Sequence, residues 1–577
     1  MKIQAARLFT LVTLCLRLSA LLVLAAAIAS FWISGATAAE REDIQLVKEF
    51  GEGETVVDAI SYHGNVYFFV LGDSALSLWK TGGTRENTVL VKRIAGESVW
   101  GENIITHRNS TSLPREKKGE PLLINDNFYF FTRVNASGAE YLWQSDGTSE
   151  GTTRVVPLPE FCYGMDDAYL MNGIIYFLDS ACLWRTDGTG AGTWQVSGAF
   201  YSAEPPVIYN NHLYFSAFDD VHDQELWVSD GTPQGTRLFA DMNLIENSIC
   251  YPDDAGTGRI AHTQICVSSS VPGNYTVYRN ELYFTAFNPS VGVELWKTNG
   301  NGVRLVKDFY PGKNSGISSS PFSLLNNKLL LCAADGEHGR ELWTSDGTTA
   351  GTALLKDIFP GTNDGVSCYD FLGAIDSFLF FQGDDGAHGK SLWKTDGTSA
   401  GTTLVKDFPG VTLYVTPSPF DNPVVNGRLY FRVDSQFWVT DGTAAGTDIL
   451  AENINWFNVE ADHPGVNSVL FNNRLILSAG DDSSPDREDI ELWATDGTRA
   501  GTRLIRDILP GVHKDYGWEV SSYPKYFFPQ DKNLLFFAGS RIYYKDNLYM
   551  DTREGLFSLT MRDITLPWLK PLLLNDH

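Results

Sequence analysis

A tryptophan followed by a Gly/Thr-rich turn recurs nine times along the 577 residues, and this repetition constrains the fold more than any other feature. Clear copies are Glu225-Leu226-Trp227-Val228-Ser229-Asp230-Gly231-Thr232 and the matching runs at Trp343 and Trp493. Others sit at Trp143, Trp184, Trp393 and Trp438, with weaker copies at Trp79 and Trp296, where Gly82 and Asn299 replace the aspartate. A tenth, degenerate copy is Gly555-Leu556-Phe557-Ser558-Leu559. Most intervals between successive tryptophans fall near 41–50 residues, with a few longer exceptions. Such a period predicts four-stranded propeller blades, because one small sheet buries its apolar faces only by stacking on the next.

One unit shows how four strands arise. Pro321–Leu325 is a short apolar run ended by Asn326-Asn327, and Lys328–Ala334 continues it as a second strand. The polar turn Asp335-Gly336-Glu337-His338-Gly339 leads to a third strand, Glu341–Ser345. Asp346-Gly347-Thr348 to Gly351-Thr352 then forms a hairpin loop, and Ala353–Ile358 is the fourth strand. Strand signals bounded by Gly, Asn and Asp run throughout, and no stretch sustains a 3.6-residue apolar period. The fold class is therefore all-β, a β-propeller of four-stranded blades with about ten repeats. Asp43–Phe50 resembles a fourth strand without its third, and Gly555–Thr560 a third without its fourth. The N-terminal strand is thus expected to close one ring, although two smaller rings fit the count as well.

In each repeat Asp accepts hydrogen bonds from its own turn, Gly supplies positive φ, and Thr hydroxyls cap the loop. The repeat tryptophans and aspartates are read as structural: Trp143, Asp146, Trp184, Asp187, Trp227, Asp230, Trp343, Asp346, Trp393, Asp396, Trp438, Asp441, Trp493 and Asp496. On these motifs the chain resembles the ELWxxDGT-repeat (hyalin-like) family of bacterial secreted proteins, across roughly residues 44–560. The resemblance implies an extracellular repeat protein and no particular activity.

The N-terminus carries Lys2, Arg7 and Arg17, then an apolar run from Leu18 to Ile33 and the small residues Gly35-Ala36-Thr37-Ala38-Ala39. That layout predicts a signal peptide over residues 1–39, cleaved after Ala38 or Ala39. The alternative is an uncleaved anchor, for which the run falls short of the ~20 residues that span a bilayer. Residues 40–565 form the repeat region and 566–577 a C-terminal tail. Six cysteines remain after the leader, in the local pairs Cys162 with Cys182, Cys250 with Cys266, and Cys332 with Cys368. An even count in an exported chain points to disulfides, and none has the spacing of a zinc or redox motif.

Without the leader, 41 basic residues face 70 acidic ones. Such a field repels nucleic-acid phosphates and sets DNA and RNA aside as partners. Familiar catalytic and nucleotide-binding motifs are absent. Acidic turns at Asp219, Asp220, Asp335, Glu337, Asp384, Asp385, Asp481 and Asp482 are weak Ca²⁺ candidates, since that ion takes six to eight oxygens. No other cofactor is expected.

The leading expectation is a non-catalytic extracellular binding or adhesion module for a protein or glycan. A glycan-active enzyme with its site at the propeller mouth is the first alternative, and a purely structural envelope protein the second. The longest insertions, Ala95–Glu120 and Leu244–Gly273, are read as blade-to-blade connections, as is Gly511–Tyr523. Second-to-third-strand turns should share their face of the ring, which marks that face as the expected binding surface.

Overall fold

The computed structural model describes residues 41–562 apart from several stretches, the longest being 99–120, 159–166, 252–264, 457–467, 509–520 and 540–553. These residues form ten antiparallel blades in one ring, with no helix among them. In chain order the blades span 55–95, 97–158, 167–197, 201–240, 273–307, 323–356, 366–406, 413–451, 454–506, and 525–562 joined by 41–49. Blade 6 places its strands at Ser323–Leu325, Lys328–Ala333, Glu341–Ser345 and Ala353–Lys356, within a few residues of the expected spans.

The core is a circuit of ten apolar clusters, each shared by two neighbouring blades. Leu325, Leu330 and Leu355 of blade 6 pack with Phe371, Phe381 and Trp393 of blade 7. Val47, Phe50 and Leu556 of blade 10 pack with Val56, Val66 and Phe68 of blade 1. That last cluster makes the architecture one ring, and the two-ring alternative falls away. The strand Arg41–Glu49 pairs antiparallel with Glu554–Arg562, Asp43 opposite Thr560, so the N-terminal strand completes the last blade as expected.

The outer strand of each blade is an unpaired edge and would invite association with another chain. A register shift recurs there beside the repeat tryptophan: Leu342 pairs with Lys356 but Trp343 with Leu354, leaving Leu355 as an extra residue. The same shift occurs at Trp227, Trp393, Trp438 and Trp493. A bulge on the edge strand disrupts the row of backbone groups that another strand would pair with.

The first strands lie innermost, since those of neighbouring blades touch: Ser468–Phe471 against Lys525–Pro529, and Val207–Tyr209 against Gly273–Tyr278. They are also the irregular ones. Blade 2 splits its first strand into Glu97–Ser98 and Leu123–Ile124, both paired with Asn127–Val134. Blades 4, 8 and 9 are split in the same way, at Ser202/Val207, Tyr414/Val424 and Trp456/Ser468. The expected placement of Ala95–Glu120 is corrected by this pairing. The insertion interrupts the inner strand of blade 2 instead of joining blades 1 and 2. Leu244–Gly273 does lie between blades, after Arg237–Ala240, and holds its own two-stranded hairpin.

Candidate functional site

Antiparallel strands give the ring two faces. One carries the first-to-second-strand turns and the Asp-Gly-Thr hairpins; the other carries the second-to-third-strand turns and the connections between blades.

On the hairpin face the repeat hydroxyls and carboxylates are used internally. Asp346 Oδ1 accepts from the Thr348 N–H at 2.9 Å and from Thr348 Oγ1 at 2.7 Å. Gly351 N donates to Thr348 Oγ1 at 2.9 Å, and Thr352 Oγ1 donates to the Thr348 carbonyl at 2.6 Å. Asp146, Asp187, Asp230, Asp396, Asp441 and Asp496 repeat the first of these bonds. The Thr348 hydroxyl, then its N–H, holds the Asp346 carboxyl below the usual range. In blade 1, where Gly82 replaces the aspartate, Asn87 Oδ1 accepts from Gly82 N and Thr84 N at 3.1 and 2.8 Å.

Cations from one blade reach the next hairpin. Lys297 Nζ donates to Gly347 O at 3.0 Å, Lys356 Nζ to Thr402 O at 2.7 Å, and Arg428 Nη1 to Gly497 O at 2.8 Å. Lys356 and Lys406 also stand over the indoles of Trp393 and Trp438, at 5.8 and 5.5 Å from the ring centroids. Trp143 lies parallel to Phe130 and Trp184 to Phe177, at interplanar angles of 12° and 4°. Trp343 Nε1 donates to Ala333 O at 3.0 Å. Trp143, Trp184, Trp227, Trp343 and Trp393 are buried, and Trp438 and Trp493 half-buried.

The contrast between glycine and aspartate in this hairpin is testable. Gly347 has φ +90°, and a Cβ there would sit 2.1 Å from the Tyr283 hydroxyl oxygen of the preceding blade. Gly347→Ala is expected to cost about 2–4 kcal/mol, combining left-handed strain with a clash across blades. Asp346→Ala, which loses two bonds at a half-exposed turn, should cost only about 1 kcal/mol. Urea midpoints of the two variants check the order, and a larger loss for Asp346→Ala would reverse it.

On the opposite face the motif glutamate is the organising residue, one to which sequence reasoning gave no role. Glu225, Glu294, Glu341 and Glu491 are buried at 0–1% exposure, on the residue two before each repeat tryptophan. Glu341 accepts from Ile358 N and Phe359 N, both at 3.0 Å. Glu294 holds Phe309 N and Gly316 N, and Glu491 holds Ile508 N and Ser522 N. Each carboxylate thus ties down the chain leaving its own blade. Burial pushes Glu225, Glu294 and Glu341 up to about 7, against the lowering effect of those N–H donors. In blade 10 Gly555 stands at the motif position and the preceding residue, Glu554, takes over the role, accepting from Val56 N at 2.6 Å and pairing with Lys525 at 3.0 Å. In blade 3 the place belongs to Cys182, whose Sγ accepts from Gln195 Nε2 at 3.3 Å.

The acidic turns of this face are closed on themselves. Asp335 Oδ1 accepts from Glu337 N and His338 N, and Oδ2 meets His338 Nδ1 at 2.9 Å. Asp219 with His222 and Asp385 with His388 repeat the arrangement. Burial opposes ionisation of Asp335, yet the backbone and His338 bonds outweigh it and hold the carboxyl low, while His338 is raised by that same bond. Asp384 Oδ1 accepts from Gly386 N at 2.8 Å. Glu337 is exposed beside Asp335. Asp220 and Asp482 lie outside the described residues, as does the Asp481 side chain. Among the described residues no group of three or more His, Cys, Asp or Glu is placed to hold a metal ion.

In the insertion between blades 4 and 5, Cys250–Tyr251 pairs with Ile265–Cys266, which sets the two cysteines directly opposite each other. The chain after it is anchored. Ser270 N donates to Gln224 O at 3.0 Å, and Ser270 Oγ to Glu225 Oε2 at 2.5 Å. Cys332, buried on the second strand of blade 6, is disulfide-bonded. The Cys368 side chain, on the first strand of blade 7, is outside the described residues, as is Cys162. Cys182 forms no disulfide among the described residues.

No family model matches the chain, and no curated protein matches it. Among solved structures it is similar to a puromycin hydrolase variant, at 12% identity and a TM-score of 0.29, covering 86% of this chain and 60% of that one. A prolyl endopeptidase structure aligns at 10% identity and a TM-score of 0.28, covering 67% and 54%. An acylaminoacyl peptidase from Pyrococcus horikoshii aligns at 9% identity and a TM-score of 0.28, covering 85% and 58%. The chain therefore spans less than two thirds of the length of these proteins, and likeness at this level assigns it no activity.

Proposed function

We propose that this chain is an exported, non-catalytic binding module whose ligand, a glycan or an extracellular protein, meets the face that carries the blade-to-blade connections. One observation supports this reading above the others. The carboxylates, hydroxyls and indoles of the repeat are engaged inside the scaffold, whereas the insertion between blades 4 and 5 is unrepeated and is followed by the Ser270–Glu225 anchor. Unrepeated loops on a rigid scaffold are where binding concentrates. Export is supported by the cleavage-type N-terminus and by the disulfide at Cys332, a bond that persists in oxidising compartments. We assign its partner as Cys368 and add a second bridge, Cys250–Cys266. The family resemblance to ELWxxDGT-repeat proteins belongs to the same proposal.

The test replaces residues 245–267 with a short Gly/Ser linker and leaves Ser270 in place. A cut that included Ser270 would remove a partner of Glu225 and confuse folding with binding. Surface loop length weighs little on closure entropy, so the melting temperature should change by no more than a few degrees. Binding on a glycan array or to an extracellular-protein library should fall at least ten-fold. Unchanged binding by a folded variant would remove this insertion as the determinant. Peptide mapping of the unmodified, exported protein should begin at Ala39 or Glu40 and recover the Cys250 and Cys266 peptides linked.

A further inference from the structure

The inner-strand residue that pairs with the second residue of the next strand, just before the first-to-second-strand turn, forms a register-matched series around the hairpin-face end of the ring. It runs Ser61, Leu123, Leu170, Ile208, Val277, Leu324, Ala374, Val424, Leu470 and Pro529 in blades 1 to 10. Side chains alternate along a strand, so these positions lie on the opposite side from the buried last residues such as Leu325, Val425 and Phe471. Nine of the ten are apolar. In blades 2 to 5 they are half-buried, but in four consecutive blades they stand open: Leu324 at 52%, Val424 at 39% and Leu470 at 44% exposure, with Ala374 between them also exposed. Blade 10 continues the arc with Pro529, also exposed. A contiguous apolar arc on the innermost strands is a surface that calls for a partner.

We propose that the occupant of this arc is the chain's own C-terminal segment, residues 563–577. Three observations favour it over a foreign partner. The segment is apolar out of keeping with the acidic surface: Ile564, Leu566, Trp568, Leu569 and Leu572 to Leu574 punctuate it, with Pro567 and Pro571. It leaves the ring at Arg562, the end of the third strand of blade 10, next to the open arc. It also leaves on the matching face, because Thr560 sits opposite Asn533 beside the first-to-second-strand turn and donates Oγ1 to Asn533 Oδ1 at 2.9 Å. The inner strand lies two strand spacings away, about 10 Å, and fifteen extended residues reach roughly 50 Å. The prolines suit an extended segment that fills a groove without adding a strand. This surface is on the opposite face from the binding site proposed above, so the two stand or fall separately.

The experiment uses a chain ended at Arg562 and a fluorescein-labelled peptide of residues 563–577, followed by anisotropy. The peptide should bind the shortened chain with a Kd in the micromolar range. Binding to the full chain should be at least ten-fold weaker, because the tethered copy competes at a high effective concentration. The pair Leu324→Asp and Leu470→Asp in the shortened chain should cost at least ten-fold. Equal binding to shortened and full chains, indifference to the two aspartates, or dimerisation of the shortened chain in place of peptide binding would overturn the proposal. Should the shortened chain fail to fold, chymotryptic cleavage after Trp568 is followed in the full chain. Faster cleavage in the two-aspartate variant supports docking, and equal rates refute it.

Discussion

Replacing Glu341 with leucine is expected to destabilise the ring by about 3–5 kcal/mol, since two shielded N–H groups, at Ile358 and Phe359, each lose their acceptor at roughly 1–3 kcal/mol. Glu341→Gln, which keeps one accepting oxygen, should lose about half as much. The glutamates also set a pH dependence. Glu225, Glu294 and Glu341 are raised from 4.5 to about 7, so the native state holds their protons more tightly than the unfolded chain does. Their contribution is fully present below pH 4.5 and is lost as pH rises through about 7. His222, His338 and His388 are raised above 6.5 and act in the same direction. The repeat aspartates are lowered from 3.8 and lose their contribution below that value. Stability should therefore peak between roughly pH 4 and pH 6. Melting curves at pH 5 and pH 8 test this, and Glu341→Gln should narrow the difference between them. A higher melting temperature at pH 8 than at pH 5 would contradict the assignment.

Removal of residues 41–50 should have the larger effect. It strips the last blade of its outer strand, takes Val47 and Phe50 from the cluster that joins blades 10 and 1, and removes Glu42 from Arg503 and Arg474. It also exposes the edge of Glu554–Arg562, a strand with no extra residue in its own register. The expected outcome is aggregation at micromolar concentration and loss of the cooperative melting transition, read by light scattering and calorimetry. A synthetic 41–50 peptide added during refolding should restore part of the soluble yield. A monomeric, cooperatively melting truncated chain would show that the ring holds without its closing strand.

The blades were legible in the sequence because their signals are local. Trp343, Asp346 and Gly347 lie within five residues, and each has a contact that recurs with the repeat. The closing strand was legible for the same reason, as a fourth strand with no third. Glu341 carried an equally regular spacing, but its partners are backbone N–H groups 17 and 18 residues further on, and a backbone donor leaves no residue type to recognise. The split inner strand of blade 2 was missed because Glu97–Ser98 is two residues long and polar, too short for alternation to show. Asn87 was missed as the stand-in for the aspartate of blade 1, since it reaches back from the far side of the hairpin.

The seam between Arg41–Glu49 and Glu554–Arg562 also has a temporal meaning. Nine of the blades are made of neighbouring segments and can form as soon as their own stretch of chain, from 31 to 62 residues long, is available. The tenth waits for two pieces of chain some five hundred residues apart, so the ring stays an open arc with two bare ends until the last blade is made. Contacts this distant in sequence form slowly. The rate-limiting event of folding should accordingly be the meeting of the two ends, and the half-closed arc is the species that a chaperone, or another copy of the chain, would encounter first.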